Sequence, residues 1–259
     1  MIIKELELLF IWFVIYSVLG WIYESIYCSI TQRRLVNRGF LNGPLCPIYG
    51  MGAILDICVL GEIQNPILLF AAGAVLACAL EYLTSYLLEK LFHARWWDYK
   101  NMPMNLNGRI CFLGAVVFGM FAVILNKWIH PWVRNWTNRL PIMGQHILAC
   151  ILFVVILVDI IVTIRGLVDF AAKLKAISED IAEHMEAYVE TQKQLLTEQK
   201  LLFSEQINEF RGEFWDRLTR QQKRMIKAFP ALQSIPYHHA LTELKEHARE
   251  LRKRIRDHK

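Results

Sequence analysis

Charged residues are scarce in this chain, and their distribution is uneven. They make up 20% of the 259 positions, against 55% hydrophobic residues, and the mean hydropathy is +0.29. Soluble domains average about 25% charged residues, and disordered chains are more polar still. Residues 1–168 hold nearly all the long apolar runs, whereas residues 169–259 are rich in Lys, Arg, Glu and Gln. The composition excludes a disordered, collagenous or wholly soluble chain and predicts a transmembrane domain (1–168) followed by a helical tail (169–259).

The sequence also lacks the motifs of cofactor chemistry. Its six cysteines form no Cys-x-x-Cys pair, and no Cys/His spacing fits a zinc site, so we interpret them as small apolar side chains. There is no G-x-x-x-x-G-K-S/T pattern and no strand-flanked G-x-G-x-x-G. We expect no cofactor, no metal and no ATP hydrolysis by this chain alone. The first apolar run lacks a basic flank and a small-residue cleavage site, which predicts a retained span.

Five segments are predicted to span the membrane, because a helix needs about 20 apolar residues to cross the bilayer core. They are residues 8–30, 44–60, 66–91, 110–128 and 145–168. The second is the shortest and contains Pro44, Pro47, Gly50 and Gly52, so a re-entrant segment is an alternative there. The predicted fold class is all-α: a polytopic membrane bundle of about five helices with a cytoplasmic helical tail.

Basic loop residues indicate the orientation of these spans, since Lys and Arg concentrate in cytoplasmic loops. An external N-terminus puts a large group on the cytoplasmic side: Arg33, Arg34, Arg38, Lys90, Arg95, Lys100, Arg109, Arg165, Lys173 and Lys175. The external side receives fewer: Lys4, Lys127, Arg134 and Arg139. Trp128, Trp132 and Trp136 fit an outer interfacial belt. We therefore predict a multi-pass protein of the cell (plasma or inner) membrane, with the N-terminus outside and the tail in the cytoplasm.

The tail is predicted to be helical, with a partial coiled-coil pattern. A seven-residue spacing joins Leu174, Ile181, Tyr188, Leu195 and Leu202. Pro230 and Pro236 break the helix, and a second amphipathic stripe follows: Leu241, Leu244, Ala248, Leu251 and Ile255. Both an antiparallel helix pair and self-association of the long helix satisfy this pattern. The basic end of the tail is interpreted as a solvated helix face, with attraction to anionic lipid as the alternative. No nucleic-acid partner is expected.

Ionisable side chains within the predicted spans are the main functional candidates, since charge at membrane depth is costly. Four acids qualify: Glu24, Asp56, Glu81 and Asp159. The predicted topology puts Glu24 and Glu81 at similar depths near the cytoplasm, where Arg109, at the start of span four, is the expected counter-charge. Asp159 is a weaker candidate. Asp56 is left out because it lies toward the outer end of its span.

The surroundings of these acids predict a polar recess that opens to the cytoplasm. Ser85 lies four residues after Glu81 on the same helix face, and Tyr23 adjoins Glu24. The inner loop 92–109 adds polar side chains. The candidate substrate- or ion-binding residues are Glu24, Glu81, Arg109, Tyr23, Ser85, Asp98, Asn107 and Asp159. A network of ion pairs and hydrogen bonds that only locks the helices together explains the same residues.

Several strings in the sequence are distinctive: RGFLNGPLCPIYG (38–50), EYLTSYLLEKLF (81–92), WWDYKNMPMNLNGRICF (96–112), Gly-Trp-x-Tyr-Glu in span one and KAFPAL (227–232). With them the chain resembles the bacterial multi-pass family called putative ABC-transporter type IV, or CmpB-like. The resemblance covers roughly residues 8–170 well and the tail loosely. It implies a transporter component without an agreed substrate. Since the chain has no nucleotide-binding domain, it also implies a separate ATPase.

The positions that match this family include most of the candidates above, but the resemblance assigns no role to any of them. They are Trp21, Tyr23, Glu24, Arg38, Gly43, Pro44, Tyr49, Gly50, Glu81, Trp97, Asp98, Tyr99, Asn107, Gly108 and Arg109.

Two functions remain open at this point. The first is a permease-like transporter component for a small or amphiphilic solute, in which Glu24 and Glu81 bind a cation or proton. Five helices are few for a solute path, so a homodimer in the lipid bilayer is expected. The alternative is a membrane-anchored scaffold that acts through its helical tail. An enzyme is not expected, because no nucleophile–base pair or metal-ligand cluster is evident.

Overall fold

The computed structural model describes residues 2–192, 212–234 and 236–257, and the regular elements within them are helices apart from one pair of short strands. The elements are α1 (Ile2–Gln32), α2 (Pro47–Leu60), α3 (Pro66–Phe92), β1 (Ala94–Arg95), α4 (Phe112–Ile124), a π-helix (Leu125–Ile129), α5 (His130–Asn138), α6 (Ile142–Gln192), α7 (212–217), α8 (Arg220–Ala228), β2 (Gln233–Ser234) and α9 (His238–Asp257). The all-α prediction is confirmed.

Four helical stretches among the described residues are long and apolar enough to cross a membrane. They are Lys4–Gln32, Pro66–Phe92, Phe112–Asn138 and Ile142–Ala176, which coincide with predicted spans one, three, four and five. The second predicted span differs. Its helix, α2, has 14 residues and is about 21 Å long, well short of the roughly 30 Å hydrocarbon core.

Extended chain precedes α2 and runs back along α1. The backbone N–H of Val36 donates to Ser29 Oγ (2.9 Å), and that of Arg38 donates to Ser25 Oγ (3.2 Å). The N–H of Cys46 then reaches the carbonyl oxygen of Ser17, near the middle of α1, at 3.0 Å. Residues 36–60, which we call the broken crossing after the predicted second span, therefore consist of an extended half followed by the helix α2. That they cross the membrane, rather than re-enter it, remains a prediction.

Helix α2 continues in the same direction and packs closely on α1. Tyr49 lies against Gly20, and Ala53 packs with Tyr16 further toward the N-terminus of α1. The tightest approach is at Gly50, where any side chain would clash with the backbone carbonyl of Phe13. A glycine there lets the two helices come together at the depth where the extended half ends.

The matched pair Gly50→Ala and Gly52→Ala tests this approach. Gly50→Ala should lower the thermal unfolding midpoint by several degrees, because overpacking costs about 1–3 kcal/mol. At Gly52 an added methyl would only touch Leu80 at 3.4 Å, and alanine is the better helix former. Its midpoint should stay unchanged or rise. Tryptophan fluorescence of the full chain in detergent measures both, and equal midpoints would contradict the packing.

The chain divides into two compact units: Met1–Leu88 with Trp97–Thr163, and Glu89–Trp96 with Ile164–Lys259. The second unit contains the predicted tail and also residues 89–96, which the sequence did not assign to it. Strands β1 and β2 pair antiparallel, with Ala94 opposite Ser234. The ring of Trp96, buried in this unit, packs edge-on against Phe229 with centroids 5.2 Å apart.

The second amphipathic helix of the tail is confirmed as α9. Leu241, Leu244 and Ala248 of its predicted stripe are buried. The side chains of the stripe's last two members and of four heptad positions lie outside the described part: Leu251, Ile255, Ile181, Tyr188, Leu195 and Leu202. The coiled-coil pattern therefore remains a prediction.

The buried Gln222 joins α8 to α6 within the second unit. Its Nε2 donates to the Asp169 carboxylate (2.8 Å) and to the Gly166 carbonyl (3.2 Å), while its Oε1 accepts from the N–H of Thr219 (2.9 Å). Thr219 in turn caps the start of α8 in a reciprocal capping box. The side-chain amide of Gln222 thus accepts from a backbone N–H group at the start of α8 and also fixes α8 on α6.

Candidate functional site

A cavity of about 290 Å³ lies among α1, α2, α3 and the α4–π-helix stretch, within the first unit. Its walls are mainly apolar, with Leu76 and Leu80 from α3 and Phe118 and Phe121 from α4. Three tyrosines also line it: Tyr16, Tyr23 and Tyr49. The charged residues in its lining are Asp56 and Glu81. The cavity thus combines an apolar body with two acidic groups.

Only one of the two carboxyl oxygens of Glu81 has a hydrogen-bond partner among the described residues. Its side chain is buried, and its Oε1 accepts a hydrogen bond from the Tyr99 hydroxyl at 3.1 Å. Its Oε2 is buried without a hydrogen-bond partner among the described residues. Burial, and then the charge of Glu81, raise the pKa of Tyr99, so that the loop tyrosine stays protonated and donates. Glu81 lines the cavity, and the predicted polar recess that opens to the cytoplasm remains a prediction.

Asp56 has the same arrangement on α2. Its Oδ2 accepts from Asn126 Nδ2 at 2.6 Å, and its buried Oδ1 has no hydrogen-bond partner in the described part of the chain. Asn126 belongs to the π-helix, a distortion frequent at functional sites. Asp56 was not predicted as a site residue, because only its position toward the outer end of the predicted span was considered. An acid in a short, otherwise apolar helix was the available signal.

Glu24 lies outside the cavity lining and is fully engaged. Its Oε1 accepts from the Tyr49 hydroxyl (2.7 Å), and its Oε2 lies 3.7 Å from Arg38 Nε. Arg38 belongs to the broken crossing, which brings it alongside α1. Tyr49 and the neighbouring Tyr23 do line the cavity, so Glu24 holds part of the wall in place. Its charge lies within electrostatic range of Glu81.

The expected pairing of Arg109 with the two glutamates is not formed. Its guanidinium donates to Ser85 Oγ (3.2 Å), and its Cζ lies 5.5 Å and 5.6 Å from the ring centroids of Tyr82 and Tyr86. Ser85 and Tyr82 are neighbours of Glu81 on α3, but Arg109 approaches them rather than the carboxylate. Among the described residues the cation at Glu24 is Arg38, because the extended half of the broken crossing follows α1 closely.

Asp98 and Asn107 shape the inner loop and do not line the cavity. Asp98 Oδ1 accepts from the N–H of Lys100 (3.0 Å), and Asn107, at a positive φ of 53°, donates to the Tyr82 hydroxyl (3.1 Å). The N–H of Tyr99 donates to the Gly108 carbonyl at 2.8 Å. These contacts hold the loop in the form that presents the Tyr99 hydroxyl to Glu81.

Asp159 fastens the broken crossing to α6. Its carboxylate accepts from the backbone N–H groups of Asn42 (3.0 Å) and Gly43 (2.8 Å), and from the Thr163 hydroxyl (3.3 Å). It does not line the cavity. The contacts of Asp159 fit the alternative left open by the sequence, in which the buried acids only hold the helices together.

Replacing Asp159 by alanine should destabilise the fold, because two backbone N–H groups lose a charged acceptor within the bundle. A loss of about 2 kcal/mol or more is expected. Thr163→Val is the comparison, since it removes one buried hydroxyl that donates to Asp159 and accepts from Asn42 but leaves the carboxylate and its two backbone contacts in place. Thermal unfolding of both variants in detergent gives the comparison. An Asp159→Ala midpoint no lower than that of Thr163→Val would exclude the fastening role.

The apolar bundle with buried acids around an internal cavity defines a polytopic helical membrane protein. The sequence profile of the family described as putative ABC-transporter type IV matches residues 11–164, and the chain belongs to that family. The matched range contains every residue of the cavity wall, as well as the broken crossing. Comparison with the curated proteins and with the solved structures gave no match.

Proposed function

We propose that this chain is a permease-like component of a transporter and that its cavity is a solute-binding site. One observation carries the proposal: two buried carboxyl groups, on Asp56 and Glu81, each have an oxygen without a hydrogen-bond partner among the described residues, in the wall of an apolar cavity. Burying such oxygens costs free energy unless a partner compensates them. A bound solute with donor groups supplies that partner.

The side from which solute enters follows from the loops. Glu81 lies in the half of α3 nearest the loop 97–111, and the Tyr99 of that loop contacts it directly. The basic loop residues support a cytoplasmic location for this end. At the opposite end Trp128 and Trp132 are exposed, as expected of an outer interfacial belt. The proposed recess therefore opens to the cytoplasm, with the N-terminus outside the plasma membrane.

Energy and assembly are the remaining parts of the proposal. The family and the missing nucleotide-binding motif together support a separate ATPase subunit as the source of energy. Four long helices and one broken crossing are few for a complete solute route, so we propose that two copies of the chain associate. The chain itself has a transport role rather than an enzymatic one.

The alternative function, a membrane-anchored scaffold, is supported by the second unit. Its own buried core includes Phe170, Met225, Leu232 and Leu244, so the tail is a folded domain rather than a linker. Deleting residues 170–259 separates the two functions. Loss of the cellular phenotype with unchanged solute flux would favour the scaffold, and an intact phenotype would exclude it.

Neutralising the cavity acids tests the transport function. Asp56→Asn and Glu81→Gln should each lower solute accumulation at least about tenfold in native membrane vesicles that contain the chain together with its proposed ATPase subunit and are supplied with ATP, because each removes a charge that offsets ligand donors. The exposed Glu62→Gln is the matched control and should behave as wild type. Solutes are measured by mass spectrometry against vesicles without the protein, and membrane insertion is checked for every variant.

Glu24→Gln provides a second comparison. Its carboxylate is already paired with Arg38 and Tyr49, so this change should lower the unfolding midpoint more than it lowers solute accumulation. If both cavity variants accumulate solute as wild type does, the acids are structural and the transport site lies elsewhere.

A further inference from the structure

Two residues that line the cavity, Asp56 and Glu81, each carry a buried carboxyl oxygen without a hydrogen-bond partner among the described residues, and they lie at different depths. On α3, the Cβ position of Gly73 is 3.7 Å from Asp56 Oδ1, and Glu81 follows eight residues later. At 1.5 Å per residue, this places the two acids about 12 Å apart along the helix. They are therefore two separate binding points rather than one acidic pair.

Helix α4 gives the same separation from the opposite wall. Ala122 packs directly against Gly73, level with Asp56, whereas the Cβ position of Gly114 is 3.9 Å from Glu81 Oε2. Gly114 and Ala122 are again eight residues apart, which corresponds to about 12 Å. Two helices that run in opposite directions thus agree on the spacing.

The space between the two acids is apolar. Leu76, Ala77 and Leu80 line it on α3, and Phe118 and Phe121 line it on α4. A volume of about 290 Å³ is at the lower end of the range for small-molecule sites, roughly 300–1,000 Å³. A slender ligand with an apolar middle fits this shape, whereas a ligand with polar groups along its length would leave them unpaired.

Each acid is also set up to receive a single cationic group. One oxygen is fixed by an amide or a hydroxyl, from Asn126 for Asp56 and from Tyr99 for Glu81. The other oxygen is left to accept. One free oxygen at each end is too few for a metal ion, which takes several oxygen ligands. An ammonium group needs only acceptors and tolerates aromatic rings such as those of Tyr23 and Phe118 nearby.

We propose that the cavity binds an elongated organic dication, an aliphatic diamine or polyamine whose terminal ammonium groups reach Asp56 and Glu81 at opposite ends. The inference deepens the proposed transport function and rests on it, since it names the class of solute. The ligand's aliphatic middle lies along α3 and α4, and each terminal nitrogen donates to the unpartnered oxygen of one acid.

A series of amines tests the two-point geometry on the full-length protein in lipid nanodiscs. An eight-carbon α,ω-diamine is long enough to contact both acids, and an eight-carbon monoamine has the same apolar length with one charge. A two-carbon diamine is too short to bridge about 12 Å, even with a hydrogen bond of about 2.9 Å at each end. Isothermal titration calorimetry should show the long diamine binding roughly tenfold more tightly than either of the others. Equal affinities for the long diamine and the monoamine, or no binding of any amine, would overturn the proposal.

Variants identify the two contact points. Asp56→Asn and Glu81→Gln should each reduce the affinity for the long diamine to that for the monoamine, whereas Glu62→Gln should change nothing. Ala77→Phe fills the apolar middle and should remove binding while both acids remain. If an acid variant does not fold, the amine series and Ala77→Phe still show whether the cavity binds the long diamine at two points. Unchanged diamine affinity in both folded acid variants would contradict the assignment.

The outcomes separate this inference from the transport function itself. If Asp56→Asn and Glu81→Gln abolish solute accumulation but no diamine binds, the assignment of the ligand as a dication is wrong and the transport function stands. If the long diamine binds as expected but vesicles with the chain accumulate no solute, the ligand assignment stands and the transport function is wrong.

Discussion

A buried backbone N–H group needs a hydrogen-bond partner within the protein, and the extended half of the broken crossing finds such partners on the neighbouring helices. A helix pairs its own N–H groups, but residues 36–46 do not form one. Ser29 and Ser25 of α1 accept the first N–H groups, the Ser17 carbonyl accepts that of Cys46, and Asp159 accepts the two between them from α6. Buried Leu41 and Leu45 fill the remaining space between the same two helices.

The cavity is a consequence of this arrangement. The extended half runs alongside the C-terminal half of α1, so α2 begins only near the middle of α1. From there α2 carries Tyr49 and Asp56 into the bundle. Gly50 lets α2 lie close to α1, so the open space remains on the side of α3 and α4. The ion pair between Glu24 and Arg38 then ties the extended half to the C-terminal half of α1.

The polar groups of the first unit fall into two kinds with different physical roles. Glu24, Asp159 and Arg109 have their hydrogen-bonding capacity engaged by protein groups, and they hold segments together. Asp56 and Glu81 line an apolar cavity, and each has a buried carboxyl oxygen without a hydrogen-bond partner in the described part of the chain. Burying such an oxygen costs free energy, which a purely stabilising role does not explain. This contrast, rather than the number of acids in the membrane, is what directs the functional proposal to the cavity.

Length and hydropathy were enough to predict the all-α class, four of the spans and the amphipathic helix α9, because each depends on the composition or period of one segment. They also directed attention to Glu81 and Tyr23, which do line the cavity. The form of the second crossing was decided by tertiary structure, since its backbone is paired by side chains from α1 and α6 that no local period encodes. The same holds for the partners of the charges. Helical spacing shows which residues share a face of one helix, but only the packing of several helices decided that Arg38 meets Glu24, that Asp159 meets a backbone, and that Asp56 faces the cavity.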